Sequence, residues 1–152
     1  RFSVFVAVCV VLGLLFGLLV TILALFFTQL HITNIWVLLA IVPMTTILFS
    51  LAGFTNALFA KTFDDISLVP TFVLTPLTYL GGVFYSIHLL PSFWQYLSLF
   101  NPILYIVNSF RYSILGVTDI PVLLALMIIF FSCVGLFFIN LYLLNRGKGI
   151  RT

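Results

Sequence analysis

A single feature of this sequence restricts its fold more than any other: no Asp, Glu, Lys or Arg occurs between Arg1 and Lys61. About 20 apolar residues in a helix cross a bilayer once, so this stretch is long enough to cross twice. Charged residues make up 6% of the 152-residue chain, against about 25% in soluble domains. The sequence therefore excludes a soluble globular fold and predicts a polytopic all-α membrane protein.

Several function classes are excluded on the same grounds. The net charge of +3 comes from six scattered cations that form no basic stripe, which excludes nucleic-acid binding. The predicted spans contain no acid and no histidine, so intramembrane catalysis and metal binding have no candidate residues. Gly147-Lys148-Gly149 lacks the upstream glycine and the Ser or Thr of a phosphate-binding loop. We expect no cofactor to be bound by this chain.

Four apolar segments have the length of membrane-spanning helices. Polar residues separate them, and two sites are candidate helix caps: Asn34 before the second span, and Thr118 or Asp119, ahead of Pro121, before the last. Because Arg1, and not Met, stands first, we expect the sequence to begin inside a longer protein. The predicted spans cover residues of about 3–28, 35–60, 66–86 and 120–144.

The cations predict which side of the membrane each loop faces. Arg146, Lys148 and Arg151 follow the last span, so the positive-inside rule places the C-terminus in the cytoplasm. Counting back through four crossings places Arg1 and Lys61 on the cytoplasmic side as well. The same count places segment 88–116 on the outer side.

Segment 88–116 is more polar than the spans and is broken at Asn101-Pro102, since the residue before proline disfavours the helical region. After the break, four polar residues recur at spacings of three and four, on one side of a helix. Two interpretations remain open: an outer re-entrant hairpin of two short helices, or an amphipathic pair lying flat on the outer leaflet. The four residues are Tyr105, Asn108, Arg111 and Tyr112.

Three features of the loops are candidate functional residues. Lys61, Asp64 and Asp65 form either a solvated turn, with one Asp capping the next helix, or a contact for a cytoplasmic partner. Arg111 either extends to the outer headgroups or lines the outer mouth of a pathway, because an arginine at mid-depth is costly. Gly81-Gly82 either allows a bend into the re-entrant element or simply ends its helix.

With these motifs in place, the chain resembles the membrane subunit of an ABC-2 type ABC transporter. The resemblance rests on residues 59–70 (FAKTFDDISLVP), which lead directly into 71–85 (TFVLTPLTYLGGVFY). Further motifs follow in the same order as in the family: Leu90-Pro91, Asn101-Pro102, Phe110-Arg111-Tyr112 and Gly116.

The resemblance implies a homodimer of six-span permeases in a bacterial inner membrane, of which this chain supplies the last four spans and the outer re-entrant hairpin. It also implies two copies of a separate ATPase, which bind ATP-Mg and drive export. The turn at Lys61, Asp64 and Asp65 matches the second cytoplasmic loop, near the ATPase. Candidates in the outer re-entrant pathway segment are Gly81, Gly82, Tyr105, Asn108, Arg111 and Tyr112.

A second function class stays open, namely a membrane scaffold or assembly subunit of an envelope complex with no transport role. A passive channel is disfavoured, because the spans lack the polar or charged rings that line such pores.

Overall fold

The computed structural model describes residues 2–27, 29 and 31–146, and over these residues the ordered elements are helices. A π-helical turn covers Pro70–Leu74, and a 3-10 turn covers Ile87–Leu89. The α-helices are α1 (Phe2–Phe27), α2 (Ile35–Phe59), α3 (Phe63–Val69), α4 (Thr75–Leu80), α5 (Ser92–Leu99), α6 (Pro102–Leu115) and α7 (Val122–Asn145).

Three of these helices are long and apolar enough to cross a membrane: Ser3–Leu23 within α1, the whole of α2 and the whole of α7. They coincide with three of the four segments that hydropathy singles out. The all-helical fold class is therefore confirmed for the described residues. A fourth crossing over 66–86 stays a prediction, as does the hairpin as a membrane element.

The helical segment that corresponds to 66–86 is displaced toward the N-terminus and runs from Phe63 to Leu80. It starts early because Thr62 and Asp65 form a capping box: the Thr62 hydroxyl accepts the Asp65 N–H at 3.3 Å, and the Asp65 carboxylate accepts the Thr62 N–H at 2.9 Å. It ends early because Gly82 has a φ of 72°, which turns the chain away.

Pro70 explains the π-helical turn and ties this segment to α2. Proline has no N–H, so the carbonyl of Ile66 loses its donor within the helix. Asn56 of α2 supplies one instead, donating from Nδ2 to the Ile66 oxygen at 2.9 Å. One turn later the Thr75 N–H donates to the Pro70 carbonyl, five residues back, which widens the helix locally.

Two helix starts differ from the sequence expectation. Asn34 stands at the start of α2, but its side chain makes no capping hydrogen bond. The residue before α7 is Pro121, whose carbonyl accepts the Ala125 N–H at 3.0 Å. Asp119 takes no part in this start, because its carboxylate is bound by residues distant in sequence.

Helix α6 lies between α2 and α7 and contributes the fully buried Leu104 to the core with Ile41 and Ile129. Its C-terminal end meets the start of α2, where Ser113 O accepts two backbone N–H bonds, one of them from Thr33 at 2.9 Å. Its first residue, Pro102, lines a cavity together with residues from the middle of α2 and α7.

The length of α6 agrees with these contacts. At 1.5 Å per residue its 14 residues extend about 21 Å, against about 37 Å for the 25 residues of α2. Helix α6 therefore accompanies α2 over only about half of its length. The preceding break also agrees with the sequence prediction, since α5 ends at Leu99 and α6 begins at Pro102.

Helices α2 and α7 run parallel and are joined by Asn140, which is fully buried. Its Nδ2 donates to Leu51 O at 3.0 Å, and its Oδ1 accepts the Thr55 hydroxyl at 2.9 Å. The end of α2 and the end of α7 therefore lie together, so Lys61 and Arg146 share one end of the bundle.

The opposite end of the bundle carries the start of α2, the end of α6 and the start of α7. The relative placement agrees with the arrangement that the cations predict, whereas the membrane side of each end stays a prediction. Arg1, Lys148 and Arg151, which also entered that prediction, lie outside the described residues.

Candidate functional site

A polar cluster centred on Asp119 lies at the end of the bundle opposite Lys61. Asp119 Oδ2 accepts the Ser86 hydroxyl at 2.8 Å and the Ile87 N–H at 3.3 Å. The same oxygen lies 3.5 Å from Nη1 of Arg111, and Nη2 of Arg111 donates to Gly82 O. We call Gly82, Ser86, Asn108, Arg111, Thr118 and Asp119 the Asp119 cluster.

Asn108 holds the loop that carries Asp119 against α6. Its Oδ1 accepts the Asp119 N–H at 3.1 Å and the Thr118 hydroxyl at 3.4 Å, and its Nδ2 donates to Leu104 O at 2.9 Å. The loop starts at Gly116, which ends α6 with a φ of 72°. This left-handed conformation favours glycine and sends the chain back toward α7.

The charges of Arg111 and Asp119 neutralise each other in a place where both are largely shielded. The side chain of Arg111 is 21% exposed and that of Asp119 is 14% exposed. A lone charge at such a site would carry a desolvation cost that a partner offsets. The pair and its hydrogen bonds join three segments of the chain. Contact between Arg111 and a cargo stays a prediction.

The four polar residues of the predicted α6 face have different surroundings. Asn108 and Arg111 belong to the Asp119 cluster. Tyr105 is buried near the other end of α6, where its hydroxyl donates to Leu99 O at 2.7 Å and joins the two arms of the hairpin. Tyr112 is half-buried, and its carbonyl accepts the N–H of Gly116.

Gly81 and Gly82 allow the end of α4 to approach α6 closely. A Cβ atom on Gly81 would lie 2.8 Å from Ile103 Cγ2, which is closer than real side chains come. Asn101, which precedes α6, donates from Nδ2 to Leu77 O of α4. Gly81 and Gly82, the two glycines predicted as candidate site residues, therefore lie against α6.

Ser86 is not among the residues predicted from the sequence, and Thr118 and Asp119, predicted as alternative helix caps, instead belong to the Asp119 cluster. The available signal was composition: Asp119 is the only acid after Asp65 and follows Arg111 by eight residues. That spacing, across a glycine turn, favours an ion pair over a helix cap.

At the other end of the bundle, the turn at Lys61 contains two acids with different surroundings. Asp65 Oδ2 accepts the N–H groups of Lys61 and Thr62, both at 2.9 Å. These bonds favour the charged carboxylate and hold the pKa of Asp65 below its ordinary value of 3.8. Asp64 is exposed, beside a Phe63 side chain that is 90% exposed. The helix-cap interpretation thus applies to Asp65.

Metal and thiol chemistry have no assembled site in the part of the chain that the structure describes. Within it, no group of three His, Cys, Asp or Glu residues could hold a metal ion. Cys9 and Cys133 are free, half-buried thiols on α1 and α7.

Comparison with known proteins identifies the family. The sequence model of the ABC-2 type transporter family matches residues 2–115. The chain is 52% identical over 141 residues to proteins named inner membrane transport permease YadH from Escherichia coli K12, E. coli O157:H7 and Shigella flexneri.

These matches cover 92% of this chain and 55% of each relative, so the chain spans about half the length of the curated relatives it matches. No solved structure matches it. The resemblance seen in residues 59–116 is confirmed over most of the chain, and the protein belongs to the ABC-2 type transporter family.

Proposed function

We propose that this chain forms the membrane part of the permease subunit of an ATP-driven ABC-2 exporter. A separate ATPase subunit binds and hydrolyses ATP-Mg, and two permease copies form the pathway in a bacterial inner membrane, with the C-terminus in the cytoplasm. Family membership, the transport permease name of the relatives and three apolar helices of spanning length support this proposal.

The observation that carries the proposal is a helix of half length buried between two long ones. Short helices that end at membrane depth are tolerated only inside protein or beside a cavity, and transporters build their pathways from such interrupted helices. We therefore propose four crossings, with segment 88–116 entering from the outer side and returning to it. A scaffold subunit has no need of this arrangement.

At the cytoplasmic end, the turn at Lys61, Asp64 and Asp65 faces the ATPase in this proposal. Asp65 binds the start of its own helix, so its carboxylate is engaged by backbone N–H groups. Asp64 is exposed beside it and offers an accessible charge at that end. Asp64 and Lys61 therefore supply the polar contact with the partner.

At the outer end, the hairpin closes the pathway, with Gly81, Gly82, Tyr105, Asn108, Arg111 and Tyr112 as its pathway segment. The bonds from Arg111 to Gly82 and Asp119 join the hairpin to the loop before it and to the loop after it. We expect these three parts to move together when the pathway opens.

The proposal is tested with the full-length permease and its ATPase reconstituted in proteoliposomes. We expect ATP-dependent movement of a fluorescent lipid-like amphiphile, and stimulation of ATP hydrolysis by that amphiphile. A matched control replaces the lysine of the ATPase phosphate-binding loop. A stable complex in which no amphiphile stimulates hydrolysis or crosses the bilayer would favour the scaffold function instead.

A further inference from the structure

The half-length of α6 leaves a space beneath its first turn. A cavity of about 430 Å³ lies there, bounded by α2, the helical segment 63–80 and α7. Pro102 and Ile103 form one end of the cavity, and its walls include Ala52, Val73 and Leu136. Its volume lies within the range of about 300–1,000 Å³ that is usual for ligand pockets.

The lining of the cavity is almost entirely apolar, and each of its two polar side chains is bound to a backbone carbonyl. Asn56 and Ser132 are the polar residues that line it, among mainly aliphatic neighbours. Asn56 Nδ2 donates to Ile66 O at 2.9 Å, and the Ser132 hydroxyl donates to Ile128 O at 2.7 Å. Apolar cavities of this kind exclude water and admit apolar ligands.

Residues on the walls of the cavity are partly exposed, which indicates that the cavity opens sideways, between helices. Phe49 is 38% exposed and Val73 is 48% exposed. Leu48 on α2 and Ser132 on α7 place the opening near the middle of both long helices. In a bilayer with a hydrocarbon core of about 30 Å, that depth is occupied by lipid acyl chains.

We propose that this cavity holds one acyl chain of a bilayer phospholipid, inserted beneath the tip of the hairpin. An empty cavity would leave its wall atoms without dispersion partners, and an acyl chain from the surrounding leaflet restores them. The inference requires only that the protein lies in a membrane, so it stands independently of whether the protein exports a cargo.

Two substitutions fill the cavity, and a third serves as a matched control. Ala52→Phe and Gly53→Leu add side chains on its α2 wall, and a Cβ at Gly53 meets no atom within 4 Å. Gly135→Leu on α7 makes the same chemical change at another helical glycine with open space, one that does not line the cavity.

The experiment uses full-length permease in vesicles of phosphatidylethanolamine and phosphatidylglycerol that contain a trace of phospholipid with a mid-chain diazirine. After irradiation, peptide mass spectrometry maps the attached lipid. We expect enrichment at Ala52, Val73 and Leu136, reduced several-fold by Ala52→Phe and by Gly53→Leu and unchanged by Gly135→Leu. Circular dichroism and gel filtration verify that each variant is folded.

Three results would overturn the proposal. The first is labelling spread over the exposed helix faces without enrichment in the cavity, as expected if another part of the full-length protein fills it. The second is enrichment that the filling variants leave unchanged. The third is displacement of the label by an excess of added amphiphile, which would assign the cavity to cargo rather than to a resident lipid.

Discussion

Arg111 and Asp119 form an ion pair across the Gly116 turn, with 3.5 Å between Nη1 and Oδ2. Because Asp119 also accepts bonds from Ser86 and Ile87, its carboxylate joins three segments. We predict that Asp119→Ala lowers the free energy of unfolding by about 1.5–3 kcal/mol, the usual worth of hydrogen bonds to a charged group. Chemical unfolding in detergent micelles measures the change.

Asp64→Ala is the control for this prediction, since it removes an exposed carboxylate at the other end of the bundle. It should leave the unfolding midpoint unchanged. Equal stability of Asp119→Ala and the parent protein would show that the cluster contributes nothing to the fold.

Gly82 has a φ of 72°, and an added Cβ would lie 3.2 Å from Tyr85 O. We predict that Gly82→Ala costs about 1–2 kcal/mol, the penalty of the left-handed conformation for an L-residue. Gly17 lies in the interior of α1 with nothing within 4 Å of its Cβ position, so Gly17→Ala should be neutral or stabilising. Thermal unfolding compares the two variants, and a reversed order would contradict the turn geometry.

Asn140 couples α7 to α2 through Thr55 and Leu51. We predict a coupling free energy of about 0.6 kcal/mol between Asn140→Ala and Thr55→Val, typical of hydrogen bonds between membrane helices. A double-mutant cycle on the unfolding free energies measures it. Strictly additive effects of the two substitutions would show that the contact is energetically silent.

The capping box at Thr62 and Asp65 predicts a specific pH dependence. The folded-state pKa of Asp65 is lowered, so its contribution is complete above the ordinary value of 3.8 and is lost as the pH falls through the lowered pKa. Protection of the Lys61 and Thr62 amides, corrected for intrinsic exchange, should therefore be constant from neutral pH down to about pH 5.

Hydrogen exchange provides the measurement for the cap. Asp65→Ala should remove the protection of both amides, whereas Asp64→Ala should preserve it. Loss of protection between pH 7 and pH 5 would mean that another group controls the start of α3.

The division of roles between the two acids also predicts their effect on the proposed partner. Asp64→Arg should weaken binding of the ATPase in a pull-down without altering amide protection at Lys61. Gln29→Arg adds a cation at the opposite end of the helix bundle and should leave ATPase binding unchanged. If reversing the charge at Asp64 leaves ATPase binding unchanged, the exposed charges of the turn contact solvent and not the partner.

Hydropathy and proline chemistry were sufficient to predict much of this fold. The long apolar runs predicted α1, α2 and α7 because a helix of spanning length needs no information from distant residues. Asn101-Pro102 likewise predicted the break between α5 and α6, since the steric effect of proline is local.

The rest depends on contacts between residues far apart in the sequence. Hydropathy extended the segment after Lys61 to residue 86, but the turn at Gly82 ends the helix at Leu80. The local sequence predicts Asp119 as a cap, whereas two of the partners of its carboxylate, Ser86 and Ile87, lie 33 and 32 residues earlier. No local pattern indicates such a pairing.

The hairpin is central to the permease proposal, and thiol accessibility at its two flanks tests it most directly. Leu89, just before α5, and Val117, just after α6, are both exposed. In full-length protein with every native cysteine replaced, Cys9 and Cys133 included, Leu89→Cys and Val117→Cys should react with a membrane-impermeant maleimide from the same, outer side. Phe59→Cys should react only from the inner side. Labelling of positions 89 and 117 from opposite sides would show that segment 88–116 crosses the membrane, and would contradict the account.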